Sequence, residues 1–228
     1  IMGVERIVRD FRINRIFEGS SEIMHLLMAR EAVDKHLEVA GALVEKKSTF
    51  MEKLKALPKI GLFYAYWYPT RCIGWSLWPR HRGHGKLSKH LRFIDRSARR
   101  LARQSFHGMA LYREKLEYKQ MFLFRLVDVV NDLFAMSASI SRAAAMKKRG
   151  APNAEQAAEL ADVFCRLARR RIHENFYRLW HNDDDAKYKL AQDVMAGRHM
   201  WQEDILEPLL KEFVAPKKAD KKPSNKAA

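Results

Sequence analysis

The sequence predicts an all-α protein, and three observations carry that expectation. Apolar residues recur with a helical period through several long windows. No run alternates as a half-buried strand would. Helix breakers are scarce, with 10 Gly and 7 Pro in 228 residues, against many Ala, Leu, Lys, Arg and Glu. Hydrophobic residues make up 47% of the chain, enough for a core, so wholesale disorder is excluded. The length allows one large or two small domains.

The first long element is a helix over 21–56, in which Ile23, Leu26, Leu27, Val33, Leu37, Gly41 and Val44 share one face. Ser20 or Ser21 can cap it, because a hydroxyl accepts from an otherwise unpaired N–H. Pro58 is expected to end it at or before Leu57. Residues 60–78 then turn aromatic, with Tyr64, Tyr66, Trp67, Tyr68, Trp75 and Trp78 interrupted by Pro69, Arg71 and Gly74. That segment is too broken for a transmembrane helix, which needs about 20 apolar residues. Gly83 and Gly85 mark a loop.

A helix over 87–117 follows, built on Leu91, Ile94, Ala98, Leu101, Phe106 and Met109. Another over 119–148 uses Phe122, Leu126, Val129, Val130, Leu133, Phe134 and Ile140. Gly150-Ala151-Pro152 breaks the chain, and Asn153 with Gln156 has capping-box spacing for a helix over 154–181. A last helix is expected over 184–213, capped by Asp183, Asp184 or Asp185, since carboxylates are stabilised at a helix N-terminus. Residues 215–228 are a Lys/Ala/Pro tail expected to be disordered.

Net charge is +16, and a basic surface attracts the phosphates of nucleic acid or of anionic lipid. The charge concentrates in Arg80, Arg82, Lys86, Lys89, Arg92, Arg96, Arg99, Arg100 and Arg103. Cys72 and Cys165 fall into no metal spacing and suit a reduced compartment. His81 and His84 lie in a basic Gly-rich loop with His90 just beyond, and arginines beside them repel a cation. They are expected to be solvated rather than metal-bound. The three aspartates lack the spaced ligands of a Ca²⁺ loop, so no metal site is expected. Residues 1–12 are charged and hold no continuous apolar core, so no signal peptide is visible there.

One stretch names a chemistry. Arg15-Ile16-Phe17-Glu18-Gly19-Ser20-Ser21-Glu22-Ile23, continuing through Met28-Ala29-Arg30-Glu31 to Ala32-Val33-Asp34-Lys35-His36, resembles the segment that carries the catalytic base in acyl-CoA dehydrogenases. Alone, a Glu-Gly-Ser-Ser turn before a helix is an ordinary cap, and the flanks on both sides carry the resemblance. In that family the segment lies near the end of the catalytic region, so the chain looks like the C-terminal part of a larger flavoenzyme. The resemblance implies that Glu18 abstracts the α-proton and that its backbone N–H polarises the thioester carbonyl. It implies a substrate contact at Gly19, where the missing Cβ permits close approach, and an FAD edge at Ser20, Ser21 and Glu22. Some members carry the base on another helix with a non-acidic residue here, and Glu18 argues for the majority arrangement. Met24-His25 replaces a more usual polar pair, Ser20 a more usual threonine, and Arg30 is expected to be an ion-pair residue.

The extension beyond this helix is similar to that of the very-long-chain branch. Leu123-Phe124-Arg125-Leu126-Val127-Asp128-Val129-Val130, then Leu133-Phe134-Ala135-Met136 and Ser141-Arg142-Ala143, carry that weaker resemblance. It implies the end of the catalytic helical bundle at 1–57, an aromatic and basic connector at 58–86, an added helical bundle at 87–214 and the tail at 215–228. It further implies oxidation of long-chain acyl-CoA to trans-2-enoyl-CoA in fatty-acid β-oxidation. An electron-transfer flavoprotein would be the oxidant and the full-length enzyme a homodimer. The connector's Trp and Tyr suit an anionic membrane interface or internal packing equally. The compartment would be the cytoplasm, with peripheral attachment to the inner membrane, in a bacterium. In a eukaryote it would be the matrix face of the mitochondrial inner membrane. The chain alone is expected to be inactive. The alternative is a non-catalytic basic helical module that binds anionic membranes or nucleic acid through Arg96, Arg99, Arg100 and Arg103. No nucleic-acid motif supports the second of these partners.

Overall fold

The computed structural model describes residues 2–17, 19–44, 49–73 and 81–205. Seven α-helices lie among them: α1 (Met2–Phe17), α2 (Ser21–Val44), α3 (Phe50–Cys72), α4 (Ser88–Tyr112), α5 (Gln120–Lys148), α6 (Ala154–Arg178) and α7 (Asp184–Met195). Short 3₁₀ turns occupy Arg82–Leu87, Arg113–Tyr118 and Met200–Ile205. No strand occurs among the described residues, as the sequence predicts. The described residues up to His181 belong to one compact unit and those from Asn182 to a second.

The core of the first unit is the antiparallel pair α5–α6, with α2 and α4 packed on α5 and α3 packed on α2 and α4. Along α5, the buried Phe122, Leu126, Val129, Leu133, Met136, Ile140 and Ala143 alternate steps of four and three. That spacing keeps one seam facing a partner helix. On α6 the matching row is Ala161, Cys165, Ala168 and Ile172. Its small residues let the two backbones approach. Met136, Ile140 and Ile172 are fully buried, each stabilising the fold by about 1.5–3 kcal/mol. Gly150 (φ +66°) reverses the chain between the two helices, and its N–H and that of Ala151 satisfy the carbonyls of Lys147 and Met146.

Several expectations need correction. Two helices, α2 and α3, replace the single one over 21–56, and α3 runs through both Pro58 and Pro69. An interior proline costs about 3 kcal/mol. Burial of Ile60 and packing of Tyr64, Trp67 and Phe106 against one another offset it. On α5, Phe134 is exposed and Met136 takes the seam position. On α4 the buried row is Ser88, His90, Phe93, Ser97, Ser105 and Gly108, while Ala98 is exposed. Gly108 in that row makes room for Phe122 of α5. Asn153 occupies the cap position of α6 without a side-chain bond.

In the second unit, Asp183 likewise stands at the cap of α7 without a side-chain bond. The preceding Asn182 amide oxygen accepts the Asp184 N–H at 3.1 Å instead, an Asx turn that reaches two residues on. α7 ends at Met195 rather than running to 213, and a left-handed Gly197 follows. Residues 206–213, the tail at 215–228, Trp75 and Trp78 lie outside the described residues.

Candidate functional site

The turn that opens α2 is the centre of the site. Gly19 has φ +112°, a backbone conformation that L side chains rarely adopt. A Cβ there would also meet the Met24 sulfur at 3.4 Å. Of the two serines, Ser20 takes the cap. Its carbonyl accepts the Met24 N–H at 3.0 Å, and its hydroxyl lies 3.5 Å from the Ile23 N–H. Gly19, Ser20 and Ser21 are half-buried. Glu22 is exposed and stays anionic, because its own backbone N–H, then the Ser20 hydroxyl, hold its carboxyl below the usual range. Glu18 itself lies outside the described residues.

His25, one turn further on, fastens this turn to α5. Its Nδ1 is 2.5 Å from the Ser21 carbonyl oxygen and its Nε2 is 3.0 Å from Asp128 Oδ1. The Phe124 ring lies against it at 5.1 Å. Burial opposes charge on the imidazole, yet the bonds to Asp128 and to the Ser21 carbonyl hold its pKa above the ordinary 6.5. Lower on α2, His36 is buried, bonds the Tyr64 hydroxyl at 3.0 Å and meets the Trp67 ring edge-on at 4.8 Å. Burial depresses its pKa. Between α2, α4 and α5 lies an apolar cavity of about 440 Å³, lined among others by Leu27, Met28, Leu101, Leu126 and Val130.

The serines beside a side-chain-free glycine at a helix N-terminus fit one edge of a phosphate-bearing cofactor, and the Glu22 carboxylate can accept from its hydroxyls. The long-range bonds of His25 and His90 are what sequence reasoning missed. For His25 the local signal was the departure at Met24-His25, and His90 had none. His90 is fully buried, with Nε2 2.8 Å from Asp162 Oδ1. His81 is part-exposed and pairs with Asp95 at 3.1 Å, while His84 is exposed as a loop histidine is expected to be. Among the described residues no cluster of His, Cys, Asp and Glu could hold a metal. Arg30 is exposed, and no ion pair is found for it among the described residues. The cationic face on α4 is partly consumed by packing. Arg100 stacks over Phe176 at 4.3 Å, and Arg103 donates to the Arg71 carbonyl.

The described residues are all-α, with the Ser20-capped α2 packed on the α5–α6 pair through α5, which is consistent with the C-terminal domain of an acyl-CoA dehydrogenase. The family model described as "ACAD9/ACADV, C-terminal domain" matches residues 86–200, and the chain belongs to that family. Relatives extend the similarity upstream. The chain is 49% identical over 201 residues to the "Probable acyl-CoA dehydrogenase FadE10" of Mycobacterium tuberculosis, covering 88% of this chain and 31% of that protein. It is 30% identical over 201 residues to the human "Very long-chain specific acyl-CoA dehydrogenase, mitochondrial", covering 86% and 30% respectively. The chain thus spans about a third of the length of these relatives.

Proposed function

We propose that this chain is the C-terminal part of an FAD-dependent acyl-CoA dehydrogenase that converts long-chain acyl-CoA to trans-2-enoyl-CoA. The observation that carries the reading is the left-handed Gly19 turn capping α2, within a chain whose following helices match the family. Residues 1–57 close the catalytic bundle, 58–86 connect it to the added bundle at 87–214, and 215–228 form the tail. Glu18 takes the α-proton, in a site dry enough to raise its basicity. The Glu18 backbone N–H donates to the thioester carbonyl, where charge develops. Gly19 lets backbone and thioester come close, and Ser20, Ser21 and Glu22 line the cofactor. FAD, when bound, supplies the acceptor for the β-hydride. Electrons then pass to an electron-transfer flavoprotein, and the whole enzyme is a homodimer.

A specific observation supports a membrane-facing role for the connector, through Tyr66 among its aromatics and through its apolar neighbours rather than through Trp67. Trp67 packs inward on His36 and Phe106, and Tyr68 bonds His107 at 2.9 Å. Leu62 and Tyr66, four residues apart, are instead exposed on one face of α3, and Ile73, just past its end, is exposed as well. Among the described residues no helix is long and apolar enough to cross a membrane, so this face would lie in the interface. Anionic headgroups attract the basic segment beyond it. The protein would act at the inner membrane, on its matrix side in a mitochondrion.

Expression of the complete reading frame tests the main reading. A bound flavin spectrum that bleaches on anaerobic addition of long-chain acyl-CoA is expected. Absence of flavin, or flavin indifferent to acyl-CoA, contradicts it. For the connector, replacing Leu62, Tyr66 and Ile73 by Ser should reduce sedimentation with cardiolipin-containing vesicles at low salt, leaving only the part that the basic segment supplies. Equal pelleting of the variant contradicts that role.

A further inference from the structure

His25 makes two contacts that a neutral imidazole cannot satisfy together. The Ser21 carbonyl at Nδ1 and the Asp128 carboxylate at Nε2 are both acceptors. Neutral imidazole carries one N–H and imidazolium carries two. We infer that His25 is a positioning residue whose imidazolium ties the Gly19–Glu22 turn to α5, so that one proton couples the added bundle to the active-site edge. This rests on the reading of that turn as the edge of the flavin and substrate site.

The placement explains why one side chain can do this. Ser21 lies in the first turn of α2 and Asp128 in the third turn of α5, 103 residues from His25 in sequence. The imidazole is the described polar link from this first turn to α5. The charges facing it are Glu22 on its own helix and Asp128 on α5, both favouring the cation. Arg15 on α1 acts on Glu22. Phe124 covers the ring without supplying charge. Since the folded pKa is raised, the double bond is complete below the ordinary 6.5 and is lost as pH rises through the raised value. Above that point the ring keeps one acceptor and releases the other, and the turn loses a fixed relation to α5.

The test uses the FAD-loaded protein from the complete reading frame, with single-turnover flavin reduction by saturating long-chain acyl-CoA measured from acid to alkaline pH. Wild type should show a rate that falls on the alkaline side. His25→Arg keeps two donors at every pH and should remove that fall. His25→Gln carries its donors on a single nitrogen, which cannot reach both acceptors, and should be slower by roughly tenfold at acid pH, the scale of one charge-assisted hydrogen bond. Asp128→Asn leaves the imidazole in place and should move the fall to lower pH. An alkaline fall unchanged in His25→Arg, or unmoved in Asp128→Asn, overturns the proposal. So does a wild-type profile without such a fall. Wild type that reduces no flavin at any pH is a separate result, which removes the reading of the turn itself.

Discussion

Gly108 on α4 faces Phe122 on α5, and its replacement by Ala sets two effects against each other. Helix propensity favours Ala over Gly by about 1 kcal/mol. A Cβ at Gly108, however, would lie 2.4 Å from both Cε1 and Cζ of Phe122, whereas carbons at optimal separation sit about 3.5–4.0 Å apart. The ring would have to retreat by more than ~1 Å. It is 2% exposed, with Tyr112 and Trp180 each 5.4 Å from it between centroids. Overpacking of this kind costs typically 1–3 kcal/mol and occasionally more. With a displacement this large the clash falls at the upper end of that range and outweighs the propensity, so a net loss of up to about 2 kcal/mol is expected. Urea denaturation followed by far-UV circular dichroism reads this directly, as a lower midpoint for Gly108→Ala. Adding Phe122→Leu should recover part of the loss, with a coupling energy of about 1 kcal/mol. If Gly108→Ala matches or exceeds wild type, the close packing of α4 on α5 is wrong.

Two further predictions follow from the buried polar groups of α6. Asp162 accepts from His90 at 2.8 Å and from Lys89 and Arg166 at 2.9 and 2.7 Å, which hold its carboxyl well below the usual 3.8 despite burial. Asp162→Asn should cost about 2 kcal/mol, because the buried His90 N–H loses its charged acceptor while the more exposed Lys89 and Arg166 can turn to water. Its deficit in melting temperature should begin to shrink as pH falls below 3.8 and close only as pH passes the much lower value of the folded carboxyl, where wild type has lost the same stability. The Cys165 thiol is fully buried, and burial first, with Asp162 next, pushes it up to about 11, while Cys72 is exposed. A thiol reagent should label one cysteine in the native chain and two in denaturant, and rapid native labelling of both contradicts the core position of Cys165.

The parts that local chemistry determines were legible in the sequence. The break at Gly150, the 3–4 spacing along α5 and the glycine-serine cap of α2 each follow from residues within a few positions of one another. The rotation of α5 was less so, because Leu133 and Phe134 are both apolar and only the packing of α6 decides that Met136 rather than Phe134 faces inward. Pro58 was read as a stop, and the aromatic contacts that overrule it come from α2 and α4. His25 with Asp128 and His90 with Asp162 are 103 and 72 residues apart, so no spacing rule reaches them. The same holds for Arg100, which looked like a free surface charge and lies over Phe176.

The central claim is that the turn opening α2 carries the proton-abstracting base of a flavoenzyme. Glu18→Gln tests it most directly, because the amide keeps the shape of the side chain and removes its basicity. In the protein expressed from the complete reading frame, the variant should retain FAD and bind acyl-CoA. Its flavin should then fail to bleach in a stopped-flow mixing experiment in which wild type bleaches. Bleaching of the variant at close to the wild-type rate would contradict the assignment of Glu18 and with it the functional reading of the turn.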